Sequence, residues 1–266
     1  MAVFDRESLG QTDLVDLSAV GAEHGIPNVA DPKLFQFSGG VWVTFNTGWS
    51  GGRNDIYIMQ LRPHLGRPMR CVYDGRRDVE KNWGFFEGAG GQLCAIYELE
   101  PLTVLQFDPP EPDKSSVTAT VTSSTPNGSA TAMTIGTQPV ALQGGLALVA
   151  HQRVGHRAFR GYFGRPVYIA PNSEDGSRAV TVGPQLLSHN LRTMLGSRPR
   201  RNRHLWFATY FSGLDVHDGV ATLSYGVNDA AAKVRQVPAT TLWGHGVVPD
   251  PGRPAAGPGA GRRGPA

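Results

Sequence analysis

The 266-residue chain reads as an all-β protein built as a propeller. Three observations predict this. A strand signature recurs at near-regular spacing, short apolar runs alternate with polar residues, and 34 Gly and 20 Pro supply turns along the whole length. The recurrence constrains the architecture most. Gly39 to Phe45 is a glycine turn followed by an apolar run that ends at Asn46. Gly90 to Ile96 ends at Tyr97, Gly144 to Ala150 at His151, and Asp218 to Ser224 at Tyr225. The polar ends fall at 46, 97, 151 and 225, so the gaps are 51, 54 and 74 residues. Propeller blades of the kelch type recur at about 50 residues, each a small antiparallel sheet. The longest gap then holds an insertion or a poorly marked blade.

The segments between the repeats agree. Ile56 to Leu61 and Val104 to Phe107 alternate as half-buried strands do. Ser116 to Ser123 and Ala130 to Ile135 flank Asn127-Gly128 and read as one hairpin, because that pair accepts positive φ. Pro184 to Met194 could hold a short helix, and no long 3.6-residue stripe is evident. Residues 1 to 248 are assigned to the propeller; 249 to 266, rich in Pro, Gly, Ala and Arg, cannot bury a core and are expected to be disordered.

Composition narrows the class. No apolar run is long enough to span a bilayer, and the first residues lack the basic-then-apolar order of a secretion signal, so a cytoplasmic location is expected. Cys71 and Cys94 make no disulfide framework and read as buried thiols. The net charge of +3 owes much to Arg198, Arg200, Arg201, Arg203 and the tail arginines. This cluster carries no nucleic-acid fold signature and reads as a solvated loop; no specific nucleic-acid partner is expected. No set of His, Cys and carboxylates has metal-ligand spacing, and no dinucleotide or phosphate-loop motif is present, so no cofactor or metal is expected.

Val79-Glu80-Lys81-Asn82-Trp83 suits a carbohydrate or anion pocket. Charges and amides bond hydroxyl groups, and an indole offers a flat face to a sugar ring. Lys81, Asn82 and Trp83 are therefore candidate substrate contacts, as are the polar strand ends Asn46, Tyr97, His151 and Tyr225. Trp42 and Trp83 could equally be core, the commoner use of a strand tryptophan. Glu80, Glu98 and Glu100 are candidate bases near the axis. Arg160 and Tyr162 could line the cleft or form a basic outer edge.

Four pieces in order resemble the five-bladed β-propellers of glycoside hydrolase family 130 and related propellers associated with glycosyltransferases. They are Val29 to Phe35, with Asp31-Pro32-Lys33 like the family's Asp-Pro-Arg; Lys81-Asn82-Trp83 with Phe86; Gly145 through His151; and Tyr225 to Asp229. The resemblance implies five blades, the first of them trimmed or divergent here, or a fifth within 160 to 215. It implies hydrolysis, transfer or phosphorolysis of a β-mannoside, and an oligosaccharide or glycoside as the partner. It makes Asp31 the general acid, gives Asp229 a sugar contact and gives Lys81 a phosphate contact. Glu100 stands where the phosphorylases carry an arginine, Ala30 replaces a glutamate, and Ser115 to Gln152 contains no lysine or arginine. A phosphate dianion needs several positive donors, so hydrolysis or transfer is expected over phosphorolysis, with Glu100 beside Asp31 as a candidate catalytic residue and the base open among Glu80, Glu98 and Glu100. The alternative is a non-catalytic glycan-binding module of a glycan-assembly system.

Overall fold

The computed structural model describes residues 2–4, 11–48, 52–130, 132–156, 159–173, 178–190, 205–228, 230–244 and 247. Four antiparallel meanders follow one another. The first sheet is β3 (Ala30–Phe37), β4 (Gly40–Asn46), β5 (Ile56–Arg62) and β6 (Met69–Val72). The second is β7 (Gly84–Glu87), β8 (Leu93–Leu99), β9 (Leu102–Phe107) and β10 (Ser116–Thr125). In the third, β11 (Met133–Ile135) and β12 (Val140–Leu142) both pair with β13 (Gly145–His156), which continues to β14 (Phe159–Ile169) and β15 (Val180–Val182). The fourth is β16 (Leu205–His217), β17 (Val220–Val227) and β18 (Ala231–Pro238). Ahead of these lie a two-stranded ribbon, β1 (Ala2–Phe4) with β2 (Gln11–Leu14), and α1 (Leu17–Glu23), capped by the Asp16 carboxylate. A short α2 (Ala239–Trp243) closes the described chain.

The four recurrent segments occupy one position: β4, β8, β13 and β17 each follow the opening strand or strands of their sheet. The reason is local. Ser38-Gly39, Gln143-Gly144 and Asp218-Gly219 each hold two consecutive positive φ angles, the geometry whose twist matches a tight antiparallel hairpin. The 74-residue interval contains β14, β15 and β16, not an additional sheet.

Apolar clusters join consecutive sheets. Phe35, Trp42 and Ile58 of the first meet Trp83, Phe85 and Phe107 of the second. Phe86, Ile96 and Leu102 meet Leu148, Val167 and Ile169 of the third. Ala147 and Val149 meet Phe211, Leu223 and the α2 residues Leu242 and Trp243. The opposite face of the first sheet, Val43, Phe45, Met59 and Leu61, is covered by Leu17 and Ile26 in and just after α1. Four such meanders are present among the described residues, the first two joined by the parallel pairing of β6 with β10 and the last two by that of β14 with β16, and the described part of 160 to 215 is shared between the third and fourth.

Two further expectations change. Ser116–Thr125 does not form a hairpin with Met133–Ile135: β10 pairs with β9 and β6, and β11 with β13. The Asn127-Gly128 turn is instead a link between sheets, with both its amides donating to the Glu100 carboxylate. No helix forms over 184–190, where Leu187 bridges to Gly164; residues 191–194 and the 249–266 tail lie outside the described residues.

Trp83 is 2% exposed and packs edge-on against Tyr97 and beside Phe85 and Phe107. Trp83→Ala is expected to lose roughly 3–5 kcal/mol of stability, as for large aromatic truncations in cores, measured as a lowered urea midpoint with an unchanged slope.

Candidate functional site

A cavity of about 910 Å³ opens where the four sheets converge. The first sheet contributes Asp31, Pro32 and Lys33; the segment entering the second contributes Lys81 and Asn82; the third contributes Met133, Thr134, His151, Arg153 and Tyr162; the fourth contributes Tyr210, Phe211, Ser212 and Gly226.

Asp31 reaches it through a bulge. Ala30 pairs with Asn46 and Lys33 with Thr44, so β3 carries one residue more than β4 at this point. Asp31 adopts φ 50° and is exposed. Its carboxylate accepts from Asn46 Nδ2 at 3.2 Å, while Asn46 Oδ1 accepts from Gly48 N at 2.8 Å. Asn46 is thus a buried support for Asp31 and does not itself line the cavity. Asn82 (φ 65°) and Ala132 (φ 61°) also hold left-handed backbone at the cavity wall. Non-glycine residues rarely adopt this conformation, and where they do, the surroundings enforce it.

Lys33 follows the buried stripe Phe37–Phe35 along β3 at a spacing of two, so alternation turns it inward. It is 7% exposed, and its Nζ donates to Asn82 Oδ1 at 3.0 Å. Burial lowers its pKa to about 8, opposed by the Asp31 charge and reinforced by Lys81. His151 is buried, and its Nε2 accepts from the Phe211 peptide N–H at 2.9 Å. Burial, with the Lys33 charge adding to it, lowers its pKa to about 3. The imidazole is therefore neutral at ordinary pH and carries its hydrogen on Nδ1 as a donor. Tyr210 meets His151 edge-on and lies 4.9 Å from Tyr162, centroid to centroid.

Other expected contacts lie elsewhere. Trp83 and Trp42 are core; the Trp42 indole donates to the Phe37 carbonyl. Glu80 is buried and accepts from the Trp83 indole at 2.9 Å and the Tyr97 hydroxyl at 2.7 Å. Burial and then this bond push the Tyr97 pKa up to about 12. Tyr225 packs on Phe211. Glu98, paired with Arg77, and Glu100, bound to the Asn127-Gly128 turn, border an adjoining pocket of about 300 Å³ that shares Lys81, Asn82, Met133 and Thr134 with the cavity. Asp229 lies outside the described residues. Of the expected residues the cavity therefore gathers Asp31, Lys81, Asn82, His151 and Tyr162. Arg153 and Tyr210 were not foreseen; the long alternating strand from Gly145 puts Arg153 on the same face as His151, which was the available signal. Among the described residues there is no His, Cys and carboxylate group suited to a metal.

No family model matches the sequence, and no curated protein matches it. Solved structures do. A Parabacteroides distasonis protein assigned as a glycoside hydrolase superposes with a TM-score of 0.58 at 11% identity, covering 90% of this chain and 76% of that one. The β-1,2-mannobiose phosphorylase of Listeria innocua gives 0.55 at 13% identity, covering 82% and 60%. A glycosyl hydrolase of Bacteroides ovatus gives 0.50 at 12%, covering 85% and 66%. The chain shares their fold.

The depressed pKa of Lys33 fixes a pH signature. Below about 8 both folded and unfolded chains carry this proton, and burying the charge lowers stability in full. Between about 8 and 10.5 the unfolded chain binds the proton and the folded chain does not, so stability rises with pH. Lys33→Met is expected to be the more stable protein at pH 7, by up to roughly 3 kcal/mol, with the difference shrinking from pH 8 to 10.5. Urea unfolding of both proteins across that range checks it.

Proposed function

We propose that the chain is a carbohydrate-active propeller that works on a β-mannoside-like glycosidic bond in the central cavity, with Asp31 as the proton donor. The observation that carries this reading is the placement of Asp31. It is the sole carboxylate among the described lining residues, held by Asn46 on a bulge in left-handed backbone and facing a cavity furnished with amide, imidazole, hydroxyl and cationic groups. Such a mixture bonds hydroxyl-rich ligands. The likeness to glycoside hydrolases and to a mannobiose phosphorylase supports the substrate class.

The form of the reaction follows from what accompanies Asp31. Inverting hydrolysis needs a second carboxylate, about 6.5–9.5 Å from the acid, to activate water. Glu100 is engaged by the Asn127-Gly128 turn and borders the other pocket, and His151 Nε2 is occupied by a peptide N–H. Transfer to an acceptor whose oxygen is already ionised needs only the acid, and we favour it over hydrolysis. The second reading, a non-catalytic glycan-binding module, is favoured by the lack of a second carboxylate among the described lining residues.

Release of sugar from β-mannosides and β-glucosides, assayed with and without inorganic phosphate, separates these readings. Asp31→Asn is expected to lower turnover at least 100-fold, as loss of a general acid does, with sugar binding retained. Sugar binding by the native chain without any turnover would leave only the binding module.

A further inference from the structure

Among the described lining residues three cationic side chains face one carboxylate: Lys33, Lys81 and Arg153 against Asp31. None of the three forms an ion pair among the described residues; Lys33 has only the Asn82 amide oxygen as a hydrogen-bond partner. A neutral sugar does not require this excess. Hydroxyl groups are satisfied by amides, and Lys33, the buried member of the three, has no ion-pair partner among the described residues, which is unfavourable until an anion arrives, while Lys81 and Arg153 are exposed and free to meet one.

The position of Arg153 shows where that anion sits. Arg153 on β13 and Tyr162 on β14 are directly opposed in the antiparallel register, so they project from one face of the third sheet as close neighbours. Tyr210 of the fourth sheet lies 4.9 Å from Tyr162. A planar guanidinium suited to two-point contact with a carboxylate therefore stands beside an aromatic surface suited to a pyranose ring. A free ion would use the first and leave the second empty; one ligand carrying both a ring and a carboxylate uses both.

We propose that the saccharide recognised in this cavity is acidic: a uronate unit whose carboxylate meets Arg153, in the field of Lys33 and Lys81, and whose ring lies against Tyr162. This rests on the carbohydrate reading of the site and names its substrate class. The groups that set the charge there are Asp31 and Lys33 from β3, Lys81 from the segment before β7, neutral His151 and cationic Arg153 from β13, and the hydroxyls of Tyr162 and Tyr210.

Isothermal titration at pH 7 and low salt, using a hexuronate-containing disaccharide, its carboxyl-reduced neutral counterpart and inorganic phosphate alone, tests the proposal. The uronate is expected to bind roughly ten-fold or more tightly than the neutral sugar, the size of one charge-assisted contact. Arg153→Gln is expected to abolish the preference while leaving neutral-sugar binding in place. Tyr162→Ala is expected to weaken both sugars together. Raising the pH to 9, where Lys33 loses its proton, is expected to narrow the preference. Equal binding or turnover of the two sugars would overturn this inference alone. Phosphate binding more tightly than the uronate would assign the cations to a free ion and overturn it too. Binding of no saccharide of either kind would remove the carbohydrate reading along with it.

Discussion

The buried carboxylate of Glu80 is the interaction on which the rest of the site depends. It has no cation within ion-pair distance among the described residues, and is held by the Trp83 indole, the Tyr97 hydroxyl and the peptide N–H of Arg77. Its own main chain is clamped by Asn54, whose side chain accepts from Glu80 N and donates to Glu80 O, both at 2.6 Å. A buried charge is tolerated when several donors replace its water. The consequence is geometric. Glu80 and Trp83 are fixed at both ends of a four-residue segment, so the two residues between them, Lys81 and Asn82, are delivered to the cavity, Asn82 in left-handed backbone. The charges and aromatics that looked like a pocket from their composition divide into a buried frame and a pair of working residues.

That division explains what was legible in the sequence. Glycine turns and alternation located β4, β8, β13 and β17, because those signals arise from neighbouring residues. The position of Asp31 was found through a local motif. Nothing local distinguishes Trp83 as frame from Lys81 as lining, since each is defined by partners elsewhere: Gln138 caps the Trp83 carbonyl from 55 residues away. The misread hairpin at Asn127-Gly128 has the same origin. The turn chemistry was right, but Glu100 recruits that turn to a connection between sheets. Helix α1 was missed because seven residues, LSAVGAE, are too few to show a helical period.

The first sheet ends the series differently from the others. Each seam between consecutive sheets is apolar, yet the outward face of the first sheet packs on α1 and its flanks, and among the described residues no apolar cluster joins the fourth sheet to the first. β16 and β3 touch one another, and both carry residues that line the cavity. The walls of the site therefore have unequal support. Lys33 and His151 are buried, whereas Tyr210 stands on a sheet whose edge strand, β18, is largely exposed.

His151 links this architecture to the energetics of occupancy. Because its Nε2 is engaged by the peptide of Phe211, 60 residues later in the chain, the ring is oriented before any ligand arrives, and its Nδ1–H is presented in a single direction. Ordering a side chain at the moment of binding commonly costs about 0.5–1.5 kcal/mol. At this wall of the cavity that entropy was lost when the third and fourth sheets came together, so a ligand that accepts from Nδ1 meets a donor that has no rotamer left to surrender.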